Sequence, residues 1–94
     1  MSQEQPDKVV RITMSNGLPV PDQDPVVVKK DNQKVRWSAD FDFKITIDGY
    51  TDMQYNSGGG DYRCTTGKFA DVRKYKYSIT ANGVTNDPDL DIRP

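Results

Sequence analysis

The sequence predicts a single all-β domain, a small sandwich of about six to eight strands. From Lys34 to Asp48 every odd position is apolar and every even position polar. A strand can use that period of two, and a helix, whose apolar positions recur every 3.6 residues, cannot. Of the 14 acidic residues only Glu4 is a glutamate; aspartate favours turns and caps, glutamate helix interiors. Turn formers recur along the chain, at Asn16-Gly17, Pro19, Pro21, Ser57-Gly58-Gly59-Gly60 and Asn82-Gly83, and cut it into short segments. At 94 residues there is room for one domain and not two.

Residues 1–7 are polar and read as a flexible tail, which leaves residues 8–94 for the sandwich. Lys8 to Met14 alternates, with Val10, Ile12 and Met14 on one face of a strand. Ser15 to Asp24 carries too much proline for a central strand and is expected as a loop or an extended edge. Val26 to Val28 forms the next strand, closed by a turn at Asp31-Asn32. The run Lys34–Asp48 exceeds the usual strand length, so two strands should meet at a corner near Ala39-Asp40. Its Trp37, Phe41 and Phe43 are expected at the centre of the core, each contributing roughly 2–3 kcal/mol on burial. Gly49 to Gly60 reads as a polar and aromatic loop. Tyr62 and Cys64 then share one face of a short strand, and Thr66-Gly67-Lys68-Phe69 turns into an irregular crossing. Lys74 to Ala81 places Tyr75, Tyr77, Ile79 and Ala81 on one side, with Lys74, Lys76, Ser78 and Thr80 on the other. Asn82-Gly83 predicts a tight hairpin, and Leu90 and Ile92 belong to a last short strand.

Composition excludes several functions. Net charge is −1 and the cations are scattered among aspartates, which argues against a nucleic-acid partner. No run is long and apolar enough to span a bilayer, and the start has no leader-like apolar stretch, so no membrane insertion is expected. Cytoplasm is the simplest location, although a secreted chain trimmed to this start would read the same way. Cys64 is the lone cysteine, so no internal disulfide can form, and it reads as a small buried hydrophobe. The chain has no histidine, which removes Ser-His-Asp and Cys-His catalysis and two-histidine metal sites. Gly58-Gly59-Gly60 lacks the Lys-Ser or Lys-Thr that a phosphate loop requires and reads as a positive-φ turn. No cofactor is implied, and the chain reads as non-enzymatic.

Three groups of residues remain as candidates. Tyr50, Met53 and Tyr55 have the chemistry of a recognition surface for sugar, peptide or protein, or else fold back over one open end of the sandwich. Asp87, Asp89 and Asp91 fall on one side of an extended segment; that pattern suits calcium, or a charged edge that discourages strand addition. Asp87-Pro88, like Asp24-Pro25, can open a turn. It can also support self-processing: the aspartate carboxylate attacks its own main-chain carbonyl, forms a cyclic anhydride and expels the proline nitrogen. A neutral amine from Lys68, Lys74 or Lys76 could then capture the acyl group as an isopeptide.

The segments Asp24-Pro25-Val26-Val27-Val28-Lys29-Lys30 and Lys34-Val35-Arg36-Trp37 resemble the strand entering the core of cupredoxin-like domains. Lys74-Tyr75-Lys76-Tyr77-Ser78-Ile79 is similar to the last long strand of that fold. The likeness implies an immunoglobulin-like or cupredoxin-like sandwich without copper, since the histidine ligands are missing. The tail from Asn86 to Pro94 resembles the terminus of the DP-EP family of small bacterial proteins. That likeness implies cleavage at Asp87-Pro88. The leading expectation is a non-enzymatic module that binds a protein partner through loops and sheet edges, on a surface including Tyr50, Met53 and Tyr55. Self-processing at Asp87-Pro88 comes second, and a calcium- or carbohydrate-binding module third.

Overall fold

The structure is a computed structural model that describes residues 8–94; the tail expected over residues 1–7 lies outside the described residues. The strands run in chain order as β1 (Lys8–Ser15), β2 (Leu18–Pro21), β3 (Val26–Lys29), β4 (Val35–Ala39), β5 (Lys44–Ile47), β6 (Met53–Gly58), β7 (Asp61–Thr66), β8 (Lys74–Ala81), β9 (Val84–Asn86) and β10 (Asp89–Arg93). They form two mixed sheets. The first has the order β2-β1-β4-β7-β6, and the second the order β3-β10-β8-β5, with β9 also paired to β8. The all-β sandwich is as the sequence predicts, with ten strands among the described residues rather than six to eight.

The period-two run divides as its length requires. β4 belongs to the first sheet and β5 to the second, and residues 40–43 cross between them. Trp37, Phe43, Ile45 and Ile47 are buried. Phe41 is not at the centre: it lies on the crossing and is only half-buried, packed against the core from the end of the sandwich. Met14 is similarly displaced, 40% exposed beyond the buried Val10 and Ile12. Phe69, in the irregular crossing before β8, is fully buried and stacks on Tyr50 with ring centroids 4.4 Å apart.

The extra strands come from turn chemistry. Asn16 and Gly17, Gly59 and Gly60, and Asn82 and Gly83 all have positive φ, the requirement of a two-residue type I′ hairpin. The Gly59-Gly60 turn folds Met53–Gly58 back on β7, so half of the expected Gly49–Gly60 loop is strand β6. The Asn16-Gly17 turn makes β2 an extended edge.

The two sheets meet at Trp37 and Tyr77. The indole and phenol rings lie 5.2 Å apart at 49°, and Trp37 Nε1 donates to Tyr77 Oη over 3.2 Å. Both residues are essentially unexposed, so each polar atom depends on the other. Tyr77→Phe should therefore leave a buried indole N–H without an acceptor and lower stability by about 1–3 kcal/mol in urea denaturation. A loss well below about 0.5 kcal/mol would show that the indole does not depend on this acceptor.

Candidate functional site

Two open sheets leave unpaired edges on β2, β6, β3 and β5, and the three-residue β9 pairs only with β8; an unpaired strand edge invites pairing with another chain. In β2, Pro19 and Pro21 sit opposite Met14 and Ile12. Counting from the hairpin closure at Ser15 and Leu18, these are non-hydrogen-bonded positions, so each missing N–H is one that would face outward. The carbonyl of Pro19 accepts from Asn86 Nδ2 of β9 at 3.0 Å. In β3, Lys29 N–H donates to Gln33 Oε1 at 2.8 Å, and its carbonyl accepts from the amides of Asn32 and Gln33 at 3.3 and 3.2 Å.

Strand β5 is closed by a side chain. Tyr55 reaches across from β6, accepts from Ile45 N–H at 2.9 Å and donates its hydroxyl hydrogen to the Ile45 carbonyl at 3.0 Å. A phenolic oxygen can do both at once. The next outward carbonyl, Ile47, accepts from Tyr50 N–H at 3.2 Å.

Strand β6 is different. Its pairing with β7 starts at Gly58 and Asp61, the bonded pair that closes the type I′ turn. Gln54 and Asn56 therefore bond to β7, while the N–H and C=O of Tyr55 and Ser57 face outward. They meet no partner among the described residues. The strand has six residues with no charge and no proline. The cleft between the β5 and β6 edges has a volume near 270 Å³ and is lined by Phe43, Tyr55, Ser57 and Tyr62, with Asp42 and Arg63 at its rim.

The outer face beside β6 is basic. Its outward strand positions carry Arg11, Arg36 and Arg63 with Asp61, and Asp22 follows β2 opposite Arg11, while Lys8 has the inward parity of Val10 and Ile12. Arg11 Nη1 donates to Asp61 Oδ1 at 3.0 Å and to Ser38 Oγ at 3.3 Å, and Arg63 lies 3.5 Å from Asp61 Oδ2. Arg36 Nε donates to Thr65 Oγ1 at 3.1 Å. Register brings these arginines together: Arg11 lies opposite Ser38, which lies opposite Arg63, which lies opposite Asn56 of β6. They escape a reading of the sequence because each is one polar residue in an alternating strand. Only strand order makes them neighbours.

The residues expected at a site fall as follows. Tyr50, Met53 and Tyr55 do not form one platform. Tyr50 packs on Phe69 and Tyr75 at the end of the sandwich. Met53 is half-buried at the start of β6, and Tyr55 alone, 50% exposed, stands at the open edge. Asp87, Asp89 and Asp91 each have a separate partner. Asp87 Oδ1 accepts from Ser78 Oγ at 2.9 Å, Asp89 pairs with Lys76 at 2.9 Å, and Asp91 pairs with Arg93 at 3.0 Å. Among the described residues no group of three or more acidic, Cys or His residues is placed to hold a metal ion.

Pro88 is buried and its carbonyl accepts from Tyr77 N–H at 3.3 Å. Of the lysines considered for isopeptide formation, Lys76 is held protonated by its hydrogen bond to Asp89, which raises its pKa. Lys68 and Lys74 are exposed. Cys64 is fully buried opposite Trp37 and Tyr55. A groove near 580 Å³ lies beside Met14, Phe41, Phe43 and Ala81. Its lining is mainly apolar.

No protein-family model matches this chain, and no curated protein matches it. No helix of the described residues is long and apolar enough to cross a membrane.

Two outcomes follow from this geometry. Tyr55→Phe should free the Ile45 N–H and C=O and lower stability by about 0.5–1.5 kcal/mol, with Ile45 amide exchange accelerating while Ile79 opposite it stays slow. Unchanged Ile45 exchange would mean the hydroxyl does not close that edge. Burial also pushes the Cys64 thiol from 9.0 up to about 11, and burial with the Asp52 charge pushes Tyr50 from 10.0 up to about 12. Tyr77 is raised by burial too. Above pH 9.0 the unfolded chain therefore loses protons that the folded chain keeps, so stability should fall as pH climbs through 11 and 12. Urea midpoints that stay flat over that window would contradict it.

Proposed function

We propose that this protein is a non-enzymatic interaction module that takes an extended segment of a protein partner along β6. The observation that carries the reading is the contrast among outer strands. Prolines in β2, the Gln33 cap at Lys29 of β3 and the Tyr55 hydroxyl on β5 remove or occupy outward groups, β9 is only three residues long, and the six-residue β6 leaves the N–H and C=O of Tyr55 and Ser57 directed outward. Natural sheets usually blunt such an edge with lysine, proline or a bulge, and a six-residue strand lacking charge and proline has the form that strand addition requires. Backbone bonds supply affinity in this mode, and alternate side chains supply specificity.

Tyr55 serves both parts of the reading. Its hydroxyl closes the β5 edge, and its half-exposed ring spans the cleft that an added strand would cover. The platform expected from Tyr50, Met53 and Tyr55 thus contracts to Tyr55 and its main-chain neighbours. Catalysis has little to work with at this edge. Asp42 and Arg63 are the ionisable groups at the cleft's rim, and the tyrosine hydroxyl is occupied by main chain.

Ser57→Pro tests the reading, because it removes an outward donor without costing a β6–β7 ladder bond. The variant should fold with the wild-type melting temperature. A protein retained from a lysate of the source organism by the wild-type chain should be lost on Ser57→Pro and kept on Lys74→Ala. In the complex the Tyr55 and Ser57 amides should exchange more slowly than in the free chain. Retention by Ser57→Pro, or unchanged exchange at both amides, would overturn strand addition.

A further inference from the structure

We propose that the segment taken by β6 is acidic, alternating apolar side chains with carboxylates; this rests on the strand-addition reading and names the chemistry of its partner. Directly opposed residues on paired strands share a face. Residues of an added strand opposite Tyr55 and Ser57 therefore point inward, into the cleft lined by Phe43, Tyr55 and Tyr62. The rings of that lining favour an apolar side chain. Residues opposite Gln54 and Asn56 point outward, to the face that carries the arginines.

The charges on that face are unbalanced. The chain as a whole is −1, yet the outward positions of the first sheet carry Arg11, Arg36 and Arg63 against Asp61, with Asp22 on the far side of Arg11 from β6. Arg63 lies directly opposite Asn56, one strand in from the edge. At a strand spacing of about 4.8 Å, an outward side chain on the added strand stands about 10 Å from the Arg63 backbone, within the combined reach of a guanidinium stem and a carboxylate. Arg36 follows on β4, opposite Thr65, whose other neighbour is Gln54. Arg63 is held 3.5 Å from Asp61, and that carboxylate is shared with Arg11, so two guanidiniums divide one negative charge. β6 itself has no charged side chain that would compete for the incoming carboxylates.

The outer face of the second sheet is also basic, with Lys29, Lys44, Lys74, Lys76 and Arg93 against Asp89 and Asp91, but it flanks the β3 and β5 edges rather than β6. At β6 the cations that face an added strand are Arg63 and, one strand further in, Arg36. Charge decides among partners there, and the backbone ladder holds whichever strand is chosen.

Three capped synthetic peptides of equal length test this, alternating valine with aspartate, serine or lysine. The full chain is titrated with each, reading affinity together with amide exchange at Tyr55 and Ser57. The aspartate peptide should bind about tenfold tighter than the serine peptide and the lysine peptide weakest, with the preference shrinking as salt is raised. Arg63→Gln should bring the aspartate peptide down towards the serine peptide and leave the serine peptide unchanged. Equal binding of aspartate and serine peptides, with both amides protected, would overturn the acidic preference and leave strand addition standing. Failure of every peptide to protect those amides would overturn both. Tight binding of the aspartate peptide with those amides still unprotected would place the contact on the arginine face and likewise remove the edge from the proposal.

Discussion

Each outermost strand of an open β-sheet carries N–H and C=O groups that no neighbouring strand uses, and in this protein those groups are disposed of one strand at a time. Proline removes outward N–H groups from β2, where the Pro19 carbonyl accepts from Asn86, and on β3 Gln33 accepts from Lys29 N–H while turn amides bond the Lys29 carbonyl. On β5 the tyrosine hydroxyl from the opposite sheet stands in for a neighbouring strand, accepting from and donating to the same residue. That last arrangement ties the free edges of the two sheets together, so Tyr55 fixes the width of the opening between them. β6, which supplies the tyrosine, keeps its own edge open. One strand thus stabilises the sandwich through a side chain and presents an unfilled ladder through its main chain.

The core makes that division possible. Trp37 and Tyr77 bridge the sheets through ring contact and one buried hydrogen bond, and Cys64 fills the space beside the indole. With the sheets held at the centre, the edges are not needed to hold them. Phe69 and Tyr50 stack to close one end, while the groove beside Phe41 and Met14 is open and apolar. The lone cysteine has an inert setting, because burial stabilises the neutral thiol.

Charge is distributed by sheet rather than by sequence segment. The first sheet gathers arginines on its outer face with Asp61 shared between two of them, and of the second sheet's five cations Lys76 and Arg93 pair with Asp89 and Asp91. A chain with a net charge of −1 therefore carries cations on the outer faces of both sheets, and the arginine-bearing face flanks the open strand. Aspartates that look like a ligand set when read along the chain are divided among Ser78, Lys76 and Arg93. Alternation puts side chains on a common face without bringing them to a common point.

Local pattern determined much of this protein. A period of two from Lys34 to Asp48 requires extended chain, and its length requires a corner. Asn-Gly pairs require positive φ and therefore hairpins, and the prolines of Leu18–Pro21 require an edge. These constraints act between residues close in sequence, so they can be read without knowing the fold. The status of Gly49–Gly60 was not legible in the same way, because Met-Gln-Tyr-Asn-Ser carries little hydrophobic alternation and becomes a strand only by pairing with β7. Phe69 has no periodic neighbours to mark it as core, and the crossing that buries it is irregular. Strand order decided the rest. Which edges lie outermost, which tyrosine reaches across to cap one of them, and which arginines become neighbours depend on contacts between residues tens of positions apart, and a pattern of period two carries no information about those partners.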